Sequence, residues 1–98
     1  MAEDAAKVAP HVYKVLFEND RLRFLEVTMQ PGERSELHSH PDYFVYFPSG
    51  GKGRFTTASG ETEELDMPEG VSMWREAEEH ATENVGDTTI RAFFVEPK

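Results

Sequence analysis

Turn-forming residues interrupt this chain so regularly that helical periodicity stays weak along its whole length. Glu18-Asn19-Asp20, Gln30-Pro31-Gly32, Pro48-Ser49-Gly50-Gly51, Ser59-Gly60, Met67-Pro68-Glu69-Gly70 and Gly86-Asp87 punctuate it. Breaks roughly every 8–12 residues are the spacing of an all-β sandwich or barrel. In the second turn, Pro31 presets φ and Gly32 tolerates positive φ. The segments between turns predict strands over 12–17, 22–29, 36–40, 43–47, 53–57, 61–65, 71–75, 80–85 and 89–96. In 22–29, Leu25, Val27 and Met29 share one face while Leu22 and Phe24 take the other. In 89–96, Phe93 and Val95 fall on one face and Phe94 on the opposite one. Both faces of that strand are then apolar, as for a strand lying between a barrel and a partner subunit. The best helix candidate, residues 75–81, is too short to stand alone and reads as a loop or a single turn.

A chain of 98 residues holds one domain with a small core. With no cysteine, disulfides, thiolate ligands and a Cys nucleophile are excluded. Small cores of this kind are often supplemented by a metal or an oligomer interface. The net charge of −9 argues against nucleic acid and anionic lipid as partners. There is no apolar run of membrane-spanning length and no signal-peptide pattern at the start, so a cytoplasmic protein is expected. Residues 1–10 are Ala-rich and charged, and end in Pro10. They read as an N-terminal arm, loose or paired as an edge strand with a partner subunit, ahead of a single domain over 11–98.

Chemistry concentrates in the histidines. His38 and His40 stand two apart in an extended segment, so both rings project from one face and can grip one cation. Imidazole suits Zn, Fe, Ni, Cu and Mn to varying degrees. Two ligands hold a metal weakly, and a third must come from elsewhere. His80 is followed by Asn84 in a strand near the other end of the chain, and Asn84 shares the His80 face by parity. His11 stands apart and reads as surface or interface.

With these motifs the chain resembles a cupin. The first cupin motif runs Gly, five residues, His-x-His, and Gly32 with His38-Ser39-His40 matches that stretch in full. The second ends in His, three residues, Asn, matched by His80 to Asn84, with Gly70 as its first Gly. The resemblance covers about residues 12–96. It is nearest to short single-domain cupins with a Val15-Leu16-Phe17-Glu18-Asn19-Asp20 start and a His38-Ser39-His40-Pro41-Asp42 core, some of them associated with β-alanine breakdown. The resemblance implies an all-β double-stranded β-helix, or jelly roll, closing around a pocket. It implies a divalent metal, Fe, Mn, Ni or Zn, on His38, His40 and His80. It also implies a small organic acid as ligand or substrate and a homodimer.

The family's glutamate ligand has no counterpart. Its position falls on Tyr43 or Phe44, and Asp42 is the nearest carboxylate. Asp42 or Tyr43 is therefore expected beside the fourth coordination position, with the Tyr43 phenol as the candidate for acid–base work and space filling as its plainer role. Three-His cupin sites occur in some thiol and diketone dioxygenases, so the loss leaves catalysis open. A non-catalytic binding or sensing role with a metal-free pocket is the alternative. In the second motif Glu76 and Glu78 replace the family's Pro and Gly. Glu76, Glu78, Glu79 and Glu83 read as a solvated rim, the rival role being a carboxylate that orients the His80 ring.

Overall fold

The computed structural model describes residues 3–98. A one-turn helix α1 (Ala5–Val8) precedes nine strands. They are β1 (Tyr13–Glu18), β2 (Leu22–Met29), β3 (Arg34–His40), β4 (Tyr43–Ser49), β5 (Gly51–Thr57), β6 (Thr62–Met67), β7 (Ser72–Arg75), β8 (Glu78–Asn84) and β9 (Ile90–Pro97). The strands form two sheets, ordered β1-β2-β9-β4-β7 and β3-β8-β5-β6, with antiparallel neighbours throughout. This is the expected all-β jelly roll.

Alternation decides which faces meet. In β2, Leu25, Val27 and Met29 are buried, opposite Phe94, Ala92 and Ile90 of β9. Tyr43, Val45 and Phe47 of β4 continue the same inner layer, with Val45 opposite Phe94. Period-2 burial of β-branched and aromatic residues on one face is what holds a two-sheet sandwich together. Asn84 is 1% exposed, so its amide must find partners inside. Its Nδ2 donates to the Met29 and Thr88 carbonyls at 2.9 and 2.8 Å, and its Oδ1 accepts from the Gly86 N–H at 3.0 Å. One side chain thus ties the loop before β9 to the end of β2.

Strand β3 carries a local irregularity that matters for the site. Ser35 opposes Thr82 and His38 opposes His80, so three steps on β3 span two on β8. Without that extra residue, Ser35 and His38 would face opposite ways. The bulge re-aims the chain, as bulges near functional sites do. Ser35, His38 and His40 all point inward, and Leu37 is left partly exposed.

Three expectations change. Residues 75–81, expected as a loop or a single turn, are mostly strand: β7 ends at Arg75 and β8 begins at Glu78, because pairing of His80 with His38 outweighs local helix preference. β4 runs on through Pro48 to Ser49, where its register against β9 shifts between Tyr46 and Ser49, a position that tolerates a missing N–H. The N-terminal segment, read as an arm, packs against its own chain from Glu3 onward, while Met1 and Ala2 lie outside the described residues. The Ser39 N–H donates to the Glu3 carbonyl at 2.7 Å, Asp4 caps α1 through the Ala6 N–H, and Ala5 and Ala9 are fully buried. Small alanines let the turn sit close against the sheets, which is what the Ala-rich composition serves.

Candidate metal centre

Paired strands bring the three histidines together. His38 and His40 share the inner face of β3, and His80 on β8 stands directly opposite His38. Their exposures are 0%, 3% and 6%. Ring centroids lie 4.8 Å apart for His38–His40, 4.9 Å for His38–His80 and 5.1 Å for His40–His80. One nitrogen from each lies within 4.8 Å of the others.

Each ring has one nitrogen turned toward an oxygen of the protein. His38 Nδ1 is 2.8 Å from the Glu36 carbonyl inside the bulge. A carbonyl only accepts, so this Nδ1 carries the proton and Nε2 keeps its lone pair. His80 Nδ1 is 3.4 Å from Glu78 Oε1, and His40 Nδ1 is 3.7 Å from Glu96 Oε2. The Nε2 atoms of His38, His40 and His80 are buried without a hydrogen-bond partner. An unpartnered buried polar atom costs about 1–3 kcal/mol, and three in one place call for a common partner. A divalent cation fits: neutral imidazole Nε2 donors with Nδ1 facing carboxylate or carbonyl is the arrangement that orients histidine ligands.

Burial sets the protonation. It pushes His38 down to about 4, helped by the neighbouring His40, and His80 down to about 3 against the opposing pull of Glu78. Both rings are therefore neutral and able to ligate at pH 7. The same shifts make stability pH-dependent. In the unfolded chain these rings protonate near 6.5, so stability is fully present above that value. It is lost as pH falls toward the folded values, because only the unfolded chain takes up protons there. Each histidine contributes at most about 1.4 kcal/mol per pH unit. Metal-free protein is expected to be less stable at pH 5 than at pH 7 by about 2–4 kcal/mol in urea denaturation. Equal stability at the two pH values would mean that the rings are already solvated.

The carboxylates around the centre differ from expectation. Asp42, expected beside the fourth position, points away: its Oδ1 accepts from the Ala77 N–H at 2.7 Å in the exposed turn between β7 and β8. It follows His40 by two residues, but Pro41 and Asp42 lie between strands, so strand parity does not carry across. Tyr43 is inward, with its ring 5.1 Å from His40, but its hydroxyl donates to Glu78 Oε1 at 2.7 Å. Burial and the adjacent Glu78 carboxylate both raise the Tyr43 phenol above its ordinary value, so it stays protonated. Glu78 is no rim residue. Burial alone would raise its carboxyl, but hydrogen bonds from Arg75 and Tyr43 hold it below the usual range.

Glu96 is the residue that sequence reading missed. It is 2% exposed, accepts from Arg23 Nε at 2.7 Å, and faces His40. Arg23 also donates to both Asp4 oxygens at 2.9 and 2.6 Å, which ties α1 to the centre. The signal was available, since Ile90, Ala92, Phe94 and Glu96 share one inward parity. Tyr13 was also missed; its ring sits 5.0 Å from His38 and 5.2 Å from His40. His11 is at the surface, its Nε2 3.2 Å from the Arg34 carbonyl.

Sandwich, bulge and buried histidine triad together define the chain as a single-domain protein of cupin fold with a centre that could hold a metal ion. It is similar over 100% of its length to 97% of a cupin domain from Bordetella pertussis Tohama I, at 27% identity and a TM-score of 0.80. An RmlC-like cupin family protein with a double-stranded β-helix fold from Methanocaldococcus jannaschii matches 88% of this chain over 78% of its own, at 15% identity and a TM-score of 0.67. The polyketide cyclase RemF from Streptomyces resistomycificus matches 87% of this chain over 63% of its own, at 22% identity and a TM-score of 0.62. No family model and no curated protein matches the chain. Among the described residues, no helix is long and apolar enough to cross a membrane.

Proposed function

We propose that His38, His40 and His80 hold a divalent metal (Fe, Mn, Ni or Zn) and that the protein binds and acts on a small organic acid there. The observation that carries this is the set of three buried Nε2 atoms without partners. When bound, a metal with three protein ligands keeps open positions and supplies Lewis-acid or dioxygen chemistry. The chain's own residues do the rest. Glu36, Glu78 and Glu96 present oxygens to the Nδ1 atoms, and Tyr13 and Phe94 pack against the rings. Tyr43 keeps its proton and donates a hydrogen bond to Glu78, so its role is to set that carboxylate rather than to act as a base. The reaction class rests on the centre, since RemF is alike in fold alone. That engagement of Tyr43 with Glu78 favours a second reading, ligand binding without turnover.

Elemental analysis of untagged protein, with melting curves in the presence and absence of chelator, tests the centre. About one metal per chain and a fall in Tm on chelation are expected. No metal, and no response to added Fe, Mn, Ni or Zn, would sink the metal reading and leave a ligand pocket alone. Turnover separates an enzyme from a binding protein, which would show ligand-induced stabilisation only.

A homodimer belongs to the same reading. Phe17, Phe24, Val95, Phe44 and Trp74 stand in register across all five strands of one sheet. Phe17 and Trp74 are 56% and 51% exposed, so the row faces away from the core. An apolar stripe of this length on a sheet face is unusual for a free surface. Light scattering at micromolar concentration is expected to give the mass of two chains, and Phe44→Glu with Trp74→Glu the mass of one. A one-chain mass for the unaltered protein would refute the dimer.

A further inference from the structure

Between the two sheets lies a cavity of about 240 Å³, with His80, Tyr13 and Tyr43 in its wall. Most of the remaining wall is apolar, including Met29, Val45, Phe47, Phe55, Met67 and Ile90. Three features restrict what can enter. The first is size: an apolar cavity of about 150 Å³ holds benzene, so this one holds a body of about ten heavy atoms.

The second feature is charge. Among the described lining residues Arg75 is the one permanent cation, and its Nη2 is already bonded to Glu78 at 2.8 Å. Of the acidic residues along the wall, Glu78 turns inward, whereas Asp66 is exposed and Glu83 sits on the outer face of β8, 3.5 Å from Arg54 Nη1. A carboxylate placed away from the histidines would meet no free cation, and would face the Glu78 carboxylate. Burying it unpaired is costly.

The third feature is Gly53. It is buried in the interior of β5, between Leu65 of β6 and Asn84 of β8. A glycine inside a strand weakens it, and often marks a place where something approaches the backbone closely. A Cβ there would fall 2.5 Å from Met67 Cε and 3.4 Å from the Phe55 ring, inside the same cavity. The absent side chain keeps that space open.

On the footing of the metal reading above, we propose that the site takes a ligand with one chelating, monoanionic head and an apolar alkyl or aryl body of about ten heavy atoms. The head goes to the histidine centre and the body fills the cavity as far as Gly53. Short polar acids and ligands with a second carboxylate are disfavoured.

The test uses hydroxamates, which share one bidentate head. Full-length protein loaded with Ni(II) or Zn(II) is titrated calorimetrically with acetohydroxamate, hexanohydroxamate and benzohydroxamate, and with the succinic monohydroxamate that adds a carboxylate. Metal content is measured on the same samples. Hexano- and benzohydroxamate are expected to bind at least about 30-fold more tightly than acetohydroxamate, given the apolar surface each would bury. The succinic compound is expected to bind no better than acetohydroxamate. Gly53→Leu fills the cavity from β5, where the strand partner of residue 53 is Asn84, four residues along β8 from His80, so it should erase the advantage of the longer ligands while metal content stays at one per chain. Gly53→Ala, which requires only the Met67 methyl to move, repeats the test with a smaller loss if the leucine variant does not fold. A flat series on metal-loaded protein overturns the proposal and leaves the metal centre standing. Failure to retain any metal overturns both.

Discussion

His38→Ala is expected to lower metal affinity by at least about a hundredfold while the sheets stay paired. Loss of groups that merely orient a histidine ligand costs about 10–100-fold, and removal of the ligand itself costs more. The expected sign of the stability change depends on the metal. With metal bound, the variant loses the binding free energy that favours the folded chain. Without metal, two terms oppose each other: packing against Tyr13, His40 and His80 is lost, but a buried unpartnered nitrogen is removed as well. The metal-free forms of parent and variant should therefore melt much closer together than the metal-loaded parent and the variant do. Elemental analysis and melting curves read both quantities. Unchanged metal content in His38→Ala would defeat the assignment of the centre.

Arg23→Ala is expected to cost about 3–5 kcal/mol, which for a chain of this size is a fall of roughly 15–25 °C in Tm. Arg23 holds Glu96 on one side and Asp4 on the other, and Glu96 is 2% exposed. Without the guanidinium, Glu96 keeps a buried charge with only the distant His40 Nδ1 at 3.7 Å to face it. The large cost is the penalty of that unpaired charge. Arg23→Ala combined with Glu96→Gln should therefore recover most of the loss, because the charge goes with its partner. An exposed ion pair would contribute less than about 1 kcal/mol. A loss that small for Arg23→Ala would mean that water reaches Glu96. Since Asp4 hangs on the same arginine, amide exchange in residues 3–9 should also speed up in the variant.

Nine strands were legible because their signals are local. Turn residues and two-residue alternation act between near neighbours, and β2 spans Leu22–Met29 as its pattern predicts. Parity alone put His38 and His40 on one face, and motif order added His80. The same parity in β9 places Glu96 inward with Phe94, but a lone acidic residue near a chain end reads as solvated until the Arg23 that pairs with it is in view. Glu78 stands at the parity of His80, yet the helix formers around it concealed the strand.

Turn chemistry, the strand set, the inner face of β2 and the identity of the three imidazoles were determined by the amino-acid order itself. Tertiary structure decided the rest. The bulge between Ser35 and His38 appears only when β3 meets β8, since register is a property of two strands. Asp42 turns outward because the Ala77 N–H waits in a turn 35 residues away. Glu78 and Glu96 can face His80 and His40 from inside the protein because Tyr43, Arg75 and Arg23 arrive from other strands to keep their charges. Local propensity needs only adjacent residues, whereas a buried charge is tolerable only where distant parts of the chain converge to satisfy it.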